Sequence, residues 1–541
     1  MRFCVIVLAG AGLFDGGGVA VRAAAKPNQS QDQLVAEIRA LGGSVEFDAK
    51  SPDQPIVKVD LGNTRATDAD LNRLKSLSHL RWLSLWRTQI SDQGVEHLKG
   101  LADLAWLDLG GTRVSGDGLA ALAGLKKLET LTLYNTHITD AGLTHLATLT
   151  NLRELALSDT PVTGAGLESL AGHVKLRTLH LFRTRLTDAG LRHLAGLTSL
   201  ETLDLGGTHV TDAGLVHLKG LKNLQTLDLK HTGVSGDGLE DLSGLAKLRT
   251  LDLGFTAVKG AGLAHVGKLD GLSRLYLSDT QIDDDSLENL KGLKKLRELD
   301  LGLTPITDAG LDHLKAIEGL QELTLIGTQI SDDGLAAIGE LAYLQTLVLT
   351  GDEIGDRGLE HLKSLKRLQH LDLRHTRVTG AGLAGLQGLT KLESIDLGDT
   401  PLDNEGLEHL AALKNLVELN LYDTRISDEG LKRLTGLAKL ETLNLLGTRI
   451  GDAGLASVGK LPSLRVLGLL GTKITDAGLA KLKGLDKLEG LSLQSTEVTD
   501  AGLPALAALK SLRTLNLVDT RTTAAGIDAL AQKAPELRIE R

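Results

Sequence analysis

Residues 128–149 read LETLTLYNTHITDAGLTHLATL, and this stretch decides the architecture. Leu131 and Leu133 are separated by one residue, so in an extended segment both point to one face and their neighbours to the other. Thr136 then falls where the chain must turn. Its hydroxyl is expected to bond the backbone of a neighbouring loop, satisfying groups that would otherwise be buried unpaired. Thr139 and Asp140 read as a helix start, with the threonine as cap and the aspartate facing the positive helix end. Leu143, Leu146 and Leu149 then lie on one helical face.

The same unit recurs every 24 residues from Thr64 to Thr520 without an insertion or deletion; nineteen of the twenty positions are threonine and Asp352 is the exception. Written out, it is L-x-x-L-x-L-x-x-T-x-[IV]-[TS]-D-x-G-L-x-x-L-x-x-L. One such unit cannot bury its own leucines, so the units must stack, and their strands form one parallel sheet. The sixth position after the threonine is glycine in eighteen units, the exceptions being Asp70 and Ser286. Glycine in a helix costs about 1 kcal/mol relative to alanine. Its persistence predicts close approach between stacked units.

The L-x-L core, followed three residues later by a small polar residue, resembles the leucine-rich-repeat family, which usually places asparagine or cysteine where this chain has threonine. The T-D-x-G-L continuation is similar to the repeats of F-box-type and of many-repeat bacterial leucine-rich proteins. The resemblance covers roughly residues 57–541. It implies an α/β, right-handed solenoid with a concave parallel sheet and convex helices, and a binding role instead of catalysis. Nineteen steps at the strand spacing give an inner face about 90 Å long.

Residues 1–25 form a candidate export signal: Arg2, an apolar run over 3–14, and Ala23-Ala24-Ala25 before Lys26. Residues 26–56 are expected to cap the N-terminal end, with a helix over 33–41 closed by Gly42-Gly43 and a polar segment over 48–55. The solenoid of about 20 repeats occupies 57–522, and 523–541, where the pattern slips by one residue, forms the C-terminal cap. The net charge of −10 offers no basic stripe for nucleic acid or an anionic membrane surface. Cys4 is the single cysteine, which excludes an intramolecular disulfide and any cysteine-built metal site. No apolar run reaches the roughly 18 residues of a membrane-spanning helix.

The residues two, four and six before each threonine face away from the core, so their composition carries the functional signal. Nine aromatics lie beyond residue 80, and seven occupy these positions: Trp82, Trp86, Trp106, Tyr134, Phe182, Tyr276 and Tyr422. Phe255 is adjacent and Tyr343 lies elsewhere. Aromatics on an open face are the usual anchors of protein interfaces, which places a candidate hot spot at Trp82, Trp86, Trp106, Tyr134 and Phe182, with Arg81, Arg87 and His180 nearby. Trp82 and Trp106 sealing the gap between early repeats is the competing reading.

The central inner position carries Asp108, Asp204, Asp228, Asp252, Asp300, Asp372 and Asp396, changing later to Asn420, Asn444 and Asn516. Neighbouring strands are about 4.8 Å apart, so Asp204, Asp228 and Asp252 repel one another by somewhat over 1 kcal/mol per pair even in water-like surroundings. Compensation is expected from Lys230, Arg249 and Arg274, from a basic partner, or from a weakly held Ca²⁺; no metal site is assigned.

Eight histidines recur at the ninth position after the threonine, without a second ligand pattern, and read as surface residues. His370, Asp372, Arg374 and His375 are triad-like in type but lack a serine or cysteine nucleophile. No nucleophile elbow, phosphate loop or H-E-x-x-H motif occurs. The sequence therefore predicts a non-enzymatic, cofactor-free scaffold that binds a protein on its concave face, including Asp372 and Arg374 in the contact set, in an exported setting. A substrate-recognition subunit or effector of F-box type, and a polysaccharide-binding surface, are the alternatives.

Overall fold

The structure is a computed structural model that describes residues 29–541; the segment read as an export signal lies outside the described residues. Helix α1 (Gln29–Ala40) precedes an antiparallel hairpin of β1 (Ser44–Phe47) and β2 (Ile56–Asp60). From β2 onward every strand pairs in parallel with the next at a register of 24 residues, beginning Lys58↔Trp82 and ending Thr514↔Arg538. The result is one open, 22-stranded sheet. The return segment after a strand is a short helix: an α-turn that tightens into 3₁₀ geometry in some repeats, as in Asp140–Leu143 followed by Thr144–Thr148, α-helical in others, as in Asp308–Leu314, and 3₁₀ throughout in others, as in Asp237–Leu242. With crossovers of the usual right hand, these turns line the convex side of an α/β solenoid and the three-residue strands its concave side.

The leucine columns close the core between the two layers. Leu131, Leu133, Leu143, Leu146 and Leu149 are all fully buried, and equivalents continue from Leu71 to Leu517 as one cluster. One column is broken. His173 stands where other repeats place leucine; it is fully buried, its Nδ1 3.2 Å from the Leu170 carbonyl and its Nε2 3.2 Å from that of Leu146.

Two expectations about polar residues are corrected. All nineteen repeat threonines donate their hydroxyl to the carbonyl of the leucine three residues earlier in the same repeat, at 2.6 Å for Thr88 to Leu85 and for Thr136 to Leu133. They therefore close their own turns instead of bonding a neighbouring loop, because the strand carbonyl is the nearer acceptor. Only Thr328 also reaches across, 2.9 Å from Asp352, the residue that replaces threonine in the next repeat.

The aspartate of the helix start is the residue that ties repeats together. Asp188 accepts the backbone N–H of Thr211 at 2.7 Å and its hydroxyl at 2.6 Å, so its charge is spent on the following repeat more than on its own helix. The same pair recurs from Asp68 with Ser91 to Asp500 with Thr523. A Cβ on Gly214 would overlap the Asp188 carboxylate, so the T-D-x-G pattern is read across the repeat boundary: the aspartate of one repeat requires the hydroxyl and the glycine of the next. Both glycine exceptions follow. Asp70 sits in the first repeat, with no aspartate before it, and accepts the Thr67 N–H at 2.9 Å; Ser286 follows Gly260, which leaves room for its side chain.

At the ends, Leu34, Val35 and Ile38 of α1 join the core, and residues 48–55 form the hairpin turn, with the Asp48 N–H bonded to the Pro55 carbonyl. At the far end the helix Ala524–Lys533 leads to the strand Arg538–Glu540, so the slipped pattern still supplies a last pairing strand.

Candidate functional site

The residue just before each repeat threonine, or before Asp352, ends the strand with a positive φ: all twenty lie between +50° and +80°. Thirteen are glycine, asparagine or aspartate, which enter this left-handed region at least cost. Arg87, Arg183, His231, Phe255, Leu303, His375 and Ser495 are the other seven. This turn throws their side chains onto the border of the concave face.

At the N-terminal end the rings meet. Trp82 and Trp106 stack with centroids 4.3 Å apart and planes 7° from parallel, because the 24-residue register puts them side by side. Lys58 covers the other side of Trp82 at 4.6 Å, and the Arg87 guanidinium lies 4.8 Å over Trp86. The Trp86 indole Nε1 is buried without an acceptor. Tyr134 lies across Gly110 so closely that a Cβ there would overlap the ring, and Tyr422 does the same over Gly398. Phe182 leans over Gly206 and under Lys230, whose ammonium is 5.4 Å from the ring. All of these rings are half-buried: they are seated against the sheet and still reach solvent. Of these rings only Trp82 and Trp106 are seen to stack; Trp86 and Tyr134 lie in the same and adjoining repeats, and Phe182, Tyr276 and Tyr422 in more distant ones.

The carboxylate ladder has a structural duty that the sequence did not reveal. Each aspartate accepts the backbone N–H two residues on, as in Asp108 with Gly110 at 2.8 Å and Asp252 with Gly254 at 2.9 Å. Asn516 serves equally, with Val518 at 2.9 Å. This bond satisfies a donor that the strand leaves behind as it turns, and Asp60 does the same in the first repeat. Burial, followed by the charge of Asp228, pushes the Asp252 carboxyl up to about 6. Asp108 also rises to about 6, from burial outweighing the Gly110 bond, with Asp60 adding to the rise. Asp228, Asp300 and Asp396 are raised in the same direction, again chiefly by burial.

Compensation is narrower than expected. Lys230 pairs with Asp228 at 2.9 Å, and His180 lies 3.6 Å from Asp204 with its Nε2 buried and unpartnered. Arg274 instead bonds the Thr250 hydroxyl, and Arg249 is exposed at the strand's start. Tyr276 donates to Glu298 at 2.7 Å. The triad-like group does not assemble. Arg374 grips Asp372 and approaches Asp396 at 3.4 Å, while His375 bonds Asp399 at 2.7 Å and the Tyr422 hydroxyl at 3.2 Å, and His370 stands exposed apart. Among the described residues no group of three or more His, Cys, Asp or Glu is placed to hold a metal ion, and no helix is long and apolar enough to cross a membrane.

A family model described as a leucine-rich repeat region matches residues 304–532. Two further leucine-rich-repeat models match residues 78–138 and 198–258, and residues 148–171 and 292–314. The chain is a leucine-rich-repeat protein. No curated protein sequence matches it. Solved structures share the solenoid at low identity. Mouse RP105, solved in a complex with MD-1, is 18% identical over 85% of this chain and 91% of its own, with a TM-score of 0.50. A Leptospira interrogans leucine-rich-repeat protein is 21% identical over 83% of this chain and 98% of its own, with a TM-score of 0.44.

Proposed function

We propose that this leucine-rich-repeat protein binds a protein partner on its concave face, anchored at the aromatic group of the second to fourth repeats. The observation that carries this reading is the coplanar, half-buried Trp82–Trp106 stack, with Trp86 on the same face of the same repeat as Trp82. Half-buried aromatic rings held rigidly by their neighbours lose little entropy on binding. Stacking and the cations over Trp82 and Trp86 fix the rings in place. His180, Phe182, Tyr276, Asp372, Arg374 and Tyr422 extend the same face toward later repeats. An exported setting, from the reading of residues 1–25, belongs to this proposal.

All three tryptophans of the chain lie in this group, so tryptophan emission reports on the site directly. The test is to recover partners from a cell-envelope extract with the immobilised chain, then titrate the purified partner while following emission. Trp82→Ala/Trp86→Ala/Trp106→Ala is expected to lose the partner while keeping its circular dichroism. Unchanged recovery of every partner by the triple variant defeats the reading.

A further inference from the structure

A second surface lies about six repeats away, along the ninth to twelfth repeats. Phe255 and Leu303 stand at the strand-ending position with φ of +58° and +56°, and Asp279 holds the same position in the repeat between them at +53°. They are 42% and 53% exposed, and Ile326, on the adjoining inner position, is 36% exposed. These are three of the few large apolar side chains the solenoid leaves in solvent. Phe255 is steadied by a stack on His231 at 4.3 Å, and Leu303 lies over Gly327, where a Cβ would meet its Cδ2. The position they occupy is one that asparagine, aspartate or glycine fills in thirteen repeats, so apolar side chains here gain nothing from the turn and nothing from the core.

The floor beside this border is acidic. Asp252 and Asp300 lie three residues before Phe255 and Leu303, and Asp279 occupies the border between them. Among the described residues none of the three has a cation within ion-pair distance, since Lys230 is engaged by Asp228 and Arg274 by Thr250. Arg249 and Arg297 begin the strands on the opposite border, and the Arg297 guanidinium bonds the Lys294 and Leu296 carbonyls instead of the floor. An exposed apolar border along a carboxylate floor that lacks direct ion pairs is complementary to one kind of chain: apolar side chains interleaved with lysine or arginine.

We infer that the concave face of the ninth to twelfth repeats docks a basic amphipathic peptide segment, its apolar side chains on Phe255, Leu303 and Ile326 and its cations on Asp252, Asp279 and Asp300. This surface is separate from the aromatic group of the second to fourth repeats, and its occupancy does not depend on that group. A cation delivered to Asp252 and Asp300 also favours their charged forms against the burial that raises both carboxyls, so docking releases protons.

The experiment uses the full chain and three labelled synthetic peptides: alternating lysine and leucine, alternating glutamate and leucine, and alternating lysine and serine. Fluorescence anisotropy is expected to show saturable binding of the lysine–leucine peptide, about tenfold weaker binding of lysine–serine, and none of glutamate–leucine. Phe255→Asn/Leu303→Asn and Asp252→Asn/Asp300→Asn should each weaken the lysine–leucine peptide by about tenfold or more. Both are built to fold, because asparagine suits the left-handed turn and retains the strand-end bond. Trp82→Ala/Trp86→Ala/Trp106→Ala should bind this peptide as the parent does. Equal binding of the charge-reversed peptide, full binding by either asparagine variant, or loss in the tryptophan variant each overturns the inference. The last outcome moves the peptide to the aromatic end and leaves the proposed function intact.

Discussion

Two ladders of carboxylates run the length of this solenoid, one on the convex-side turn and one on the concave sheet, and they behave oppositely. On the turn, Asp212 would be pushed up by burial alone. The Ser235 hydroxyl and the N–H groups of Gly238, Gly236 and Ser235 pull it below the ordinary carboxylate range. Asp500 is lowered by the Thr523 hydroxyl and N–H. On the sheet, Asp108 and Asp252 receive a single backbone N–H and climb to about 6 because burial wins. The difference is the number of donors each oxygen finds. Carboxylates saturated by the next repeat build the fold, whereas those left short of donors retain an unmet demand that a partner can supply.

The largest expected effect separates the ladders by removal. Asp188→Ala strips two acceptors from Thr211 and is expected to cost about 2–3 kcal/mol in urea unfolding. Asp188→Asn keeps one carbonyl and should cost less. A loss no larger than that of an exposed surface aspartate would mean that the turn ladder does not tie the repeats.

The second test is pH. Asp108 and Asp252 have folded pKa values near 6 against an ordinary 3.8, so between about pH 4 and pH 6 the folded state binds more protons than the unfolded one. Their contribution to stability is therefore greatest in acid and falls as pH rises through that window. The turn ladder has the opposite sign, since Asp212 and Asp500 lose stability only below about pH 4. Tm should thus rise on going from about pH 7.5 to about pH 5 and fall again in stronger acid. Replacing both sheet residues, Asp108→Asn/Asp252→Asn, should raise Tm at pH 7.5 and flatten the upper limb, whose depth the two shifts set at about 3 kcal/mol per residue. A Tm that only falls with acidification contradicts the assignment.

The smallest effect lies on the border. Phe255→Asn trades a bulky left-handed residue for one that tolerates the turn, and stability should stay level or rise by about 0.5–1 kcal/mol. A clear loss in thermal unfolding would show Phe255 to be a packing residue. His173→Leu, which restores the leucine column, is expected to stabilise by a similar amount, because a neutral imidazole can donate to only one of the two carbonyls that flank it.

The stacking order, the parallel register and the buried leucines were legible in residues 128–149, because one repeat copied twenty times leaves a single way to bury Leu131 and Leu133. The inner face was legible too, since period two assigns Trp82, Asp108 and Tyr134 to it without ambiguity. What the pattern concealed were the partners of polar atoms. Thr136 was assigned to a neighbouring loop and Asp140 to its own helix, whereas threonine closes its own turn and aspartate reaches the next repeat. Phe255 and Leu303 were passed over as surface-facing residues because nothing in the spacing marks a left-handed turn, although the run of glycine, asparagine and aspartate before the threonines was a readable sign of it.

By itself, then, the sequence determined a solenoid of leucine columns with a sheet face free of core packing, since hydrophobic periodicity acts within one repeat and is repeated without interruption. Tertiary structure alone decided which carboxylates are saturated and which are not, and which rings meet. Those outcomes depend on atoms 24 residues apart brought side by side, where a donor more or less changes the charge a surface presents.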